Sequence, residues 1–192
     1  MSKKERIIDA AVDIFYKKGY EHTKIADITQ AAGIAQGTFY LYFPSKLALM
    51  PSIAEKTAIK LLETINEKLV FCDSFPNELE QIIDIVFKFV DEYKVIYAFL
   101  YTGLSQSEHL KEWETIYSPF YEWMSALIKD RKDKKIIRAK LSSKQLAKLV
   151  ITAIEATAEQ VYLYDVTKNV NVDKQKKGLL EFVLNALRVK RT

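Results

Sequence analysis

The sequence predicts an all-α protein. Its 192 residues include only five glycines and four prolines, whereas apolar residues make up 49% of the chain. So few turn-forming residues favour long helices over many short strands. Apolar residues also recur three and four positions apart along most of the chain, which is the period of an amphipathic helix. The length permits one large domain, or a small domain joined to a larger helical one.

The first predicted helix has an end signal on each side. Ser2 and Glu5 have the spacing of a capping box, and Gly19 follows the last turn. Between them, apolar residues from Ile7 to Phe15 repeat at helical intervals. We therefore expect one amphipathic helix over about residues 3–18.

Two shorter helices are predicted within residues 23–46. Apolar residues from Ile25 to Ala32 repeat behind Thr23, whose hydroxyl we expect to cap the first free amides. Gly33 follows that helix, where a left-handed residue ends a helix at little cost. A second helix is expected at Gln36–Phe43. Two short helices that meet at a glycine are typical of a DNA-reading helix-turn-helix.

The second short helix separates apolar from polar residues. Phe39 and Phe43 fall on the face that we expect to be buried. The outward positions are Gln36, Thr38, Tyr40 and Tyr42. Lys46 is the only acidic or basic residue between Asp27 and Glu55, so no carboxylate would repel a polyanion there. Outward tyrosines and a glutamine suit phosphates and base edges, although the tyrosines could instead cover the core edge and Gln36 could be a solvated residue.

At fixed spacing these residues resemble the TetR family of bacterial transcriptional regulators. The matching positions are Thr23, Ile28, Ala32, Gly33, Ile34, Gly37, Phe39, Tyr40, Tyr42, Phe43, Ser45 and Lys46. The resemblance implies a DNA-binding domain at residues 1–46 and a larger helical domain at residues 47–192 that binds an effector and dimerises. The DNA-binding residues that we predict are Thr23, Lys24, Gln36, Gly37, Thr38, Tyr40, Tyr42 and Lys46. Many members carry Arg where this chain has Ala26, so no contact is carried over at that position.

Further amphipathic helices are predicted after the motif. We expect one from Ser45 to about Val70, one capped by Asn77, one around Pro119 that is kinked, one begun by Ser142 and Gln145, and one near 173–189. Pro51 falls inside the first of these, in the segment that joins the two predicted domains. A bend there could act as a hinge, or Pro51 could simply mark an early helix boundary.

The last two helices suit a dimer interface, because their faces are apolar and carry small residues. The residues that we predict there are Ala153, Thr157, Val161, Leu180, Val183, Leu184 and Leu187. The alternative is that the small residues only pack within one subunit. A dimer would place two recognition helices in successive major grooves, so an operator with an inverted repeat is expected.

Aromatic residues are concentrated in the middle and near the end of the chain, where they could line a pocket or fill the core. The candidate effector pocket consists of Tyr93, Tyr97, Tyr101, Trp113, Tyr117, Phe120, Tyr121, Glu155 and Glu159. The two glutamates could recognise a cationic ligand, but we favour a position in solvent beside Lys148.

Enzyme and membrane functions find little support. The glycines form neither a dinucleotide fingerprint nor a phosphate loop, and no cofactor or metal is predicted. His22 and His109 lack metal-spaced partners and are expected at the surface. Cys72 is the only cysteine, no signal sequence opens the chain, and the longest apolar run is too short to span a membrane. We expect a cytoplasmic protein.

The leading hypothesis is a homodimeric repressor that leaves its DNA operator when a small, largely apolar or aromatic effector binds. The net charge of +4 permits DNA binding without proving it. One alternative is a DNA-bound structural protein without an effector. A less favoured alternative is a small all-helical enzyme or carrier.

Overall fold

Helices are the only regular secondary structure in the residues that we describe, which are 1–70, 72–104, 110–164 and 170–189 of a computed structural model. Only the backbone is described at 102–104 and 110–111, and His109 lies outside the described residues. The helices are α1 (Lys3–Lys18), α2 (Ile25–Ala32), α3 (Gln36–Tyr40), α4 (Met50–Lys68), α5 (Phe75–Glu92), α6 (Lys94–Leu104), α7 (Leu110–Asp133), α8 (Ser143–Glu159) and α9 (Val172–Ala186). The predicted all-α fold is confirmed.

The chain forms two compact units. Met1–Thr57 groups with Val95–Ile116 in the first unit, and Ala58–Lys94 groups with Tyr117–Thr192 in the second. Most of α6 therefore belongs to the same unit as the three N-terminal helices. The boundary after residue 46 that we expected from the resemblance stays a prediction.

Helix α1 has the predicted ends. The Ser2 hydroxyl accepts from the Glu5 amide at 3.1 Å, and the Glu5 carboxylate accepts from the Ser2 amide at 2.5 Å. Gly19 ends the helix with φ 76°, and its amide donates to the Phe15 carbonyl at 2.8 Å. Ile7 and Phe15 are fully buried, so α1 carries the core of the first unit.

The joint after the helix-turn-helix differs from the prediction. The Ser45 hydroxyl accepts from the Ala48 amide at 3.2 Å, but the residues that follow form a 3₁₀ turn at Leu47–Leu49 and not the start of the long helix. Helix α4 begins only at Met50, so Pro51 is its second residue. Proline suits the first turn of a helix, because the amides there have no partner within the helix. The predicted position of Pro51 inside a continuous helix that starts at Ser45 is therefore wrong, and Pro51 marks an early helix boundary.

The starts of the later helices follow the predicted chemistry with two exceptions. Ser142 and Gln145 form the predicted capping box of α8. Helix α5, however, is capped by Ser74, whose hydroxyl accepts from the amide of Asn77. Asn77 therefore lies inside the helix, three residues after the observed cap. Helix α9 likewise starts earlier, behind Asn171. Pro119 lies inside α7, and the kink expected there stays a prediction.

One ion pair joins α5 to α7 within the second unit. The Arg131 guanidinium donates to both carboxylate oxygens of Glu78, at 2.7 and 3.0 Å from Nη2 and 3.2 Å from Nε. Both side chains are mostly buried, with 21% and 15% exposed. This bidentate geometry makes it the strongest type of charge-assisted pair.

Candidate DNA-binding surface and helical groove

Helix α2 is capped by a carboxylate rather than by the predicted threonine. The Asp27 side chain accepts from the Lys24 amide at 2.9 Å and from the Lys18 ammonium group at 3.0 Å. These two hydrogen bonds, led by the backbone one, lower the pKa of Asp27. The Thr23 hydroxyl instead donates to the Gly19 carbonyl at 2.7 Å, and the residue is only 3% exposed. Thr23 is thus neither the cap nor an available side chain for DNA.

The turn between α2 and α3 is built on Gly33. This residue is left-handed, with φ 62° and ψ 43°, and its amide donates to the Gln30 carbonyl. A Cβ added there would lie 2.9 Å from Nη2 of Arg6. That guanidinium donates to the carbonyls of Ala32 and Gly33 at the carboxyl end of α2, where a cation is favourable. Arg6 is a part of the turn that the motif did not reveal.

Helix α3 presents one polar surface to solvent. Phe39 is buried, as is Phe43 just after the helix, which fixes the face that α3 turns outward. The exposed residues on or directly after α3 are Gln36, Gly37, Tyr40, Leu41 and Tyr42, whereas Thr38 is half-buried. Tyr40 is 50% and Tyr42 is 43% exposed. Lys24, before α2, is also exposed.

Leu41 was not predicted as a site residue, yet it is 82% exposed. It lies directly after α3, between the two exposed tyrosines. An exposed leucine at this position adds an apolar group to the surface, and apolar groups can contact thymine methyls. The helical phase did not reveal it, because α3 ends at Tyr40 and the periodicity stops there.

Neither a close contact nor a left-handed backbone within the chain requires a glycine at position 37. A Cβ at this position would meet no atom within 4 Å, and its backbone is not left-handed. Glycine inside a helix costs about 0.5–1 kcal/mol relative to alanine. A surface without a side chain, at the second residue of α3, lets another backbone approach the helix closely.

The Lys46 ammonium group donates hydrogen bonds within the chain. Its ammonium group donates to the carbonyls of Tyr20 and Thr23 at 2.5 and 2.8 Å, and lies 4.0 Å from the centre of the Tyr20 ring. Burial lowers the pKa of this ammonium group. Two of its three N–H donors are therefore engaged within the chain, and the direct contact between Lys46 and phosphate stays a prediction.

An apolar groove of about 880 Å³ runs between α8 and α9 in the second unit. Two large apolar side chains on its rim are largely exposed, Leu149 at 59% and Phe182 at 63%. Ala153 and Ala156 form part of the lining, so the groove is open enough for another helix to approach.

The predicted dimer residues divide between this groove and other positions. Ala153, Thr157, Val183 and Leu187 line the groove, although Val183 and Leu187 are already buried within the chain. Val161 is half-buried in a π-helical turn after α8. Leu180 and Leu184 are half-buried, and Leu180 lines a separate small cleft. Leu149 and Phe182, on the rim of the groove, are not among the residues predicted for the interface.

The predicted effector residues also fall in different places. Tyr97, Tyr101 and Trp113 belong to the first unit, and Tyr101 is exposed. The remaining candidates, Tyr93, Tyr117, Phe120, Tyr121, Glu155 and Glu159, belong to the second unit. Tyr93 stacks on Phe89 with ring centres 4.3 Å apart.

Glu155 lies inside the second unit and not in solvent. It is 8% exposed, and the Tyr117 hydroxyl donates to its carboxylate at 3.3 Å. The Tyr121 ring lies 5.9 Å from that of Tyr117. The favoured solvent position is therefore wrong for Glu155, while Glu159 is half-buried. The error arose because the helical phase does not tell which side of α8 faces α7.

Both halves of the chain match family models. A model of bacterial regulatory proteins of the tetR family matches residues 7–53, and a model of the tetracyclin repressor-like C-terminal domain matches residues 79–187. The chain belongs to the TetR family. It is a helix-turn-helix transcriptional regulator and not an enzyme.

Relatives extend the similarity over the full length. The HTH-type transcriptional regulator YvdT of Bacillus subtilis is 36% identical over 185 residues, which cover 96% of this chain and 95% of YvdT. FadR of Thermus thermophilus, a repressor solved with lauroyl-CoA, shares the fold with a TM-score of 0.75 and 18% identity over 98% of this chain and 97% of FadR. FadR of Bacillus subtilis, solved with stearoyl-CoA, has a TM-score of 0.73 and 20% identity, and the match covers 95% of this chain and 98% of that FadR.

Across the described part of the chain, no helix is both long and apolar enough to cross a membrane. The same residues bring together no group of three or more His, Cys, Asp or Glu side chains that could hold a metal ion.

Proposed function

We propose that this regulator is a homodimeric repressor that binds an inverted-repeat operator through α3 and leaves it when a small, largely apolar effector binds. The observation that carries the proposal is the surface of α3. Phe39 is buried beneath it, the outward side is polar and uncharged, and Gly37 leaves a gap in the side chains.

In this proposal, α3 enters the major groove with its amino-terminal residues against the bases. Gln36 is the first residue of α3 and can donate to and accept from a base edge, most favourably adenine. The Tyr40 and Tyr42 hydroxyls can donate to phosphates on either side of the groove. Because Asp27 is engaged by Lys18 and Lys24, its charge is balanced beside this surface.

The groove between α8 and α9 supports the dimer. Dimerisation is typical of TetR-family regulators, and a second copy with the same apolar rim would cover Leu149 and Phe182. A two-fold contact of this kind is self-complementary, so one groove on each subunit is enough. Two recognition helices must then reach successive major grooves about 34–36 Å apart.

The effector is proposed to bind in the second unit near Tyr117, Phe120 and Tyr121. Aromatic side chains favour an apolar ligand, and the two FadR structures hold acyl-CoA molecules. Glu155 gives this region one buried carboxylate, which can orient a polar group of the ligand through a hydrogen bond.

DNA binding is tested by recovering the fragments that the purified protein binds from its own genome. We expect one recurring inverted sequence, with half-sites about one helical turn apart. Gln36→Ala should lower the preference at particular base pairs by about 1–3 kcal/mol and leave the other positions unchanged. Recovery of fragments without any shared sequence would contradict the proposal.

The dimer is tested with Leu149→Glu, which places a charge on the rim of the groove. We expect this variant to sediment as a helical monomer that binds a single half-site weakly. Lys144→Glu is the matched control, because Lys144 is exposed on the same helix and does not line the groove. Wild-type protein that stays monomeric at micromolar concentration, with and without operator DNA, would rule out this assembly.

A further inference from the structure

Lys46 connects two segments that lie on either side of the helix-turn-helix. It stands directly before the 3₁₀ turn at Leu47–Leu49, in the stretch that follows α3. The carbonyls that it contacts belong to Tyr20 and Thr23, in the turn that precedes α2. One ammonium group thus links the segment before α2 to the segment after α3.

The same turn is fixed by an aromatic cluster. The Tyr20 ring lies under the Lys46 ammonium group at 4.0 Å, a distance at which cation and ring attract each other. Its centre is 4.7 Å from the ring of Phe99 and 5.4 Å from that of Phe15. Phe15 and Phe99 are themselves 4.9 Å apart. Tyr20 therefore contacts α1, α6 and the lysine together.

The contact with α6 joins residues that the two family models match separately. Phe99 lies in the stretch that the C-terminal family model matches, residues 79–187, yet it packs in the first compact unit. Tyr20 and Lys46 lie in the N-terminal family match, residues 7–53. The Phe99–Tyr20–Lys46 contact thus links α6 directly to the frame that holds α3.

We propose that Lys46 is a positioning residue, which with Tyr20 and Phe99 fixes the orientation of α3 against α1 and α6, and that this role, more than a phosphate contact, determines its effect on operator binding. The proposal rests on the proposed DNA-binding function. The two carbonyls engage two of the three N–H donors of the ammonium group, which keeps its charge. Replacement of Lys46 therefore first removes contacts that hold the frame of α3.

The deciding variant is Lys46→Met, which keeps most of the stem and removes the charge and both hydrogen bonds. Base readout depends on orientation, whereas non-specific binding depends on charge. We expect operator affinity to fall about tenfold, the size of one lost base contact. Affinity for non-specific DNA should fall less than about twofold, and the slope of log affinity against log salt should stay that of the wild type. An equal loss on both DNAs, with a slope smaller by about one, would overturn the proposal.

The aromatic part is tested with Tyr20→Phe and Tyr20→Leu. Tyr20→Phe keeps the ring and should bind the operator like the wild type, whereas Tyr20→Leu should repeat the loss seen with Lys46→Met. The double variant Lys46→Met with Tyr20→Leu should bind no more weakly than either single variant, since both remove one shared interaction. Additive losses in operator affinity would contradict the link between the two residues.

If a Lys46 variant does not fold, Phe99→Leu tests the same proposal. We expect it also to lower operator affinity more than non-specific affinity, although Phe99 is fully buried and cannot touch DNA. Equal affinities for the operator in Phe99→Leu and wild type would overturn the role of α6. Failure of the proposed function itself would look different, because the wild-type protein would then prefer no sequence at all.

Discussion

Gly37→Ala should make the protein more stable and its DNA binding weaker. The added methyl group meets no atom within 4 Å, and the backbone of Gly37 is ordinary helix. Nothing in the chain therefore opposes the substitution, and alanine lowers the entropy of the unfolded chain. We expect a gain of about 0.5–1 kcal/mol in the free energy of unfolding. For a chain of this length, that gain raises the melting temperature by about 1–4 °C.

DNA binding should change in the opposite direction. The methyl group projects from the exposed side of α3, where the proposed operator approaches. Displacing α3 from the groove costs at least one base contact, which is worth about 1–3 kcal/mol. The dissociation constant for the operator should therefore rise about 5- to 150-fold.

The assay combines thermal unfolding with titration of a fluorescent operator fragment. Asn66→Ala is the matched control, because Asn66 is an exposed residue inside α4 and gains helix propensity in the same way. It should raise the melting temperature and leave operator affinity unchanged. If Gly37→Ala stabilises the protein and still binds the operator as tightly as the wild type, no close approach of DNA occurs at this position.

The other predictions concern charge and capping. Arg131→Met should lower the free energy of unfolding by about 1–3 kcal/mol, since it leaves the mostly buried Glu78 carboxylate without its bidentate partner. Lys129→Met, which breaks the exposed pair with Asp133, should change stability by less than about 0.5 kcal/mol in the same urea titration. Because hydrogen bonds hold the pKa of Asp27 below its ordinary value, its stabilising effect is present above the unfolded pKa of about 4 and is lost as the pH falls through the folded pKa. Asp27→Asn should accordingly be less stable than the wild type at neutral pH, and the difference should shrink in acid. An equal difference at both pH values would contradict the role of the carboxylate.

Local end signals in the sequence predicted much of the fold. Ser2 with Glu5, Gly19 and Gly33 all do what their spacing predicts, because capping and left-handed turns depend on neighbours only a few residues away. The burial of Phe39 and Phe43 also follows from helical phase. Errors occurred where two candidates for the same local role stood close together. Asp27 caps α2 in place of Thr23, and Ser74 caps α5 in place of Asn77.

The roles of single side chains depended on contacts that the sequence does not contain. Lys46 reaches back 26 residues to Tyr20, and Arg6 reaches forward to the end of α2. Phe99, about eighty residues after Tyr20 in the chain, packs on its ring. No periodicity encodes these pairs, because each depends on how helices approach one another in space.

The sequence by itself determined the helical class, the helix-turn-helix and the burial of Phe39 and Phe43, since these follow from spacing within a few turns of helix. The tertiary structure alone decided that the Lys46 ammonium group donates to two carbonyls of its own chain, that Glu155 is buried against Tyr117, and that an apolar groove remains open between α8 and α9. The physical reason is that burial and pairing are properties of the space between helices, and that space is set by packing of residues far apart in the chain.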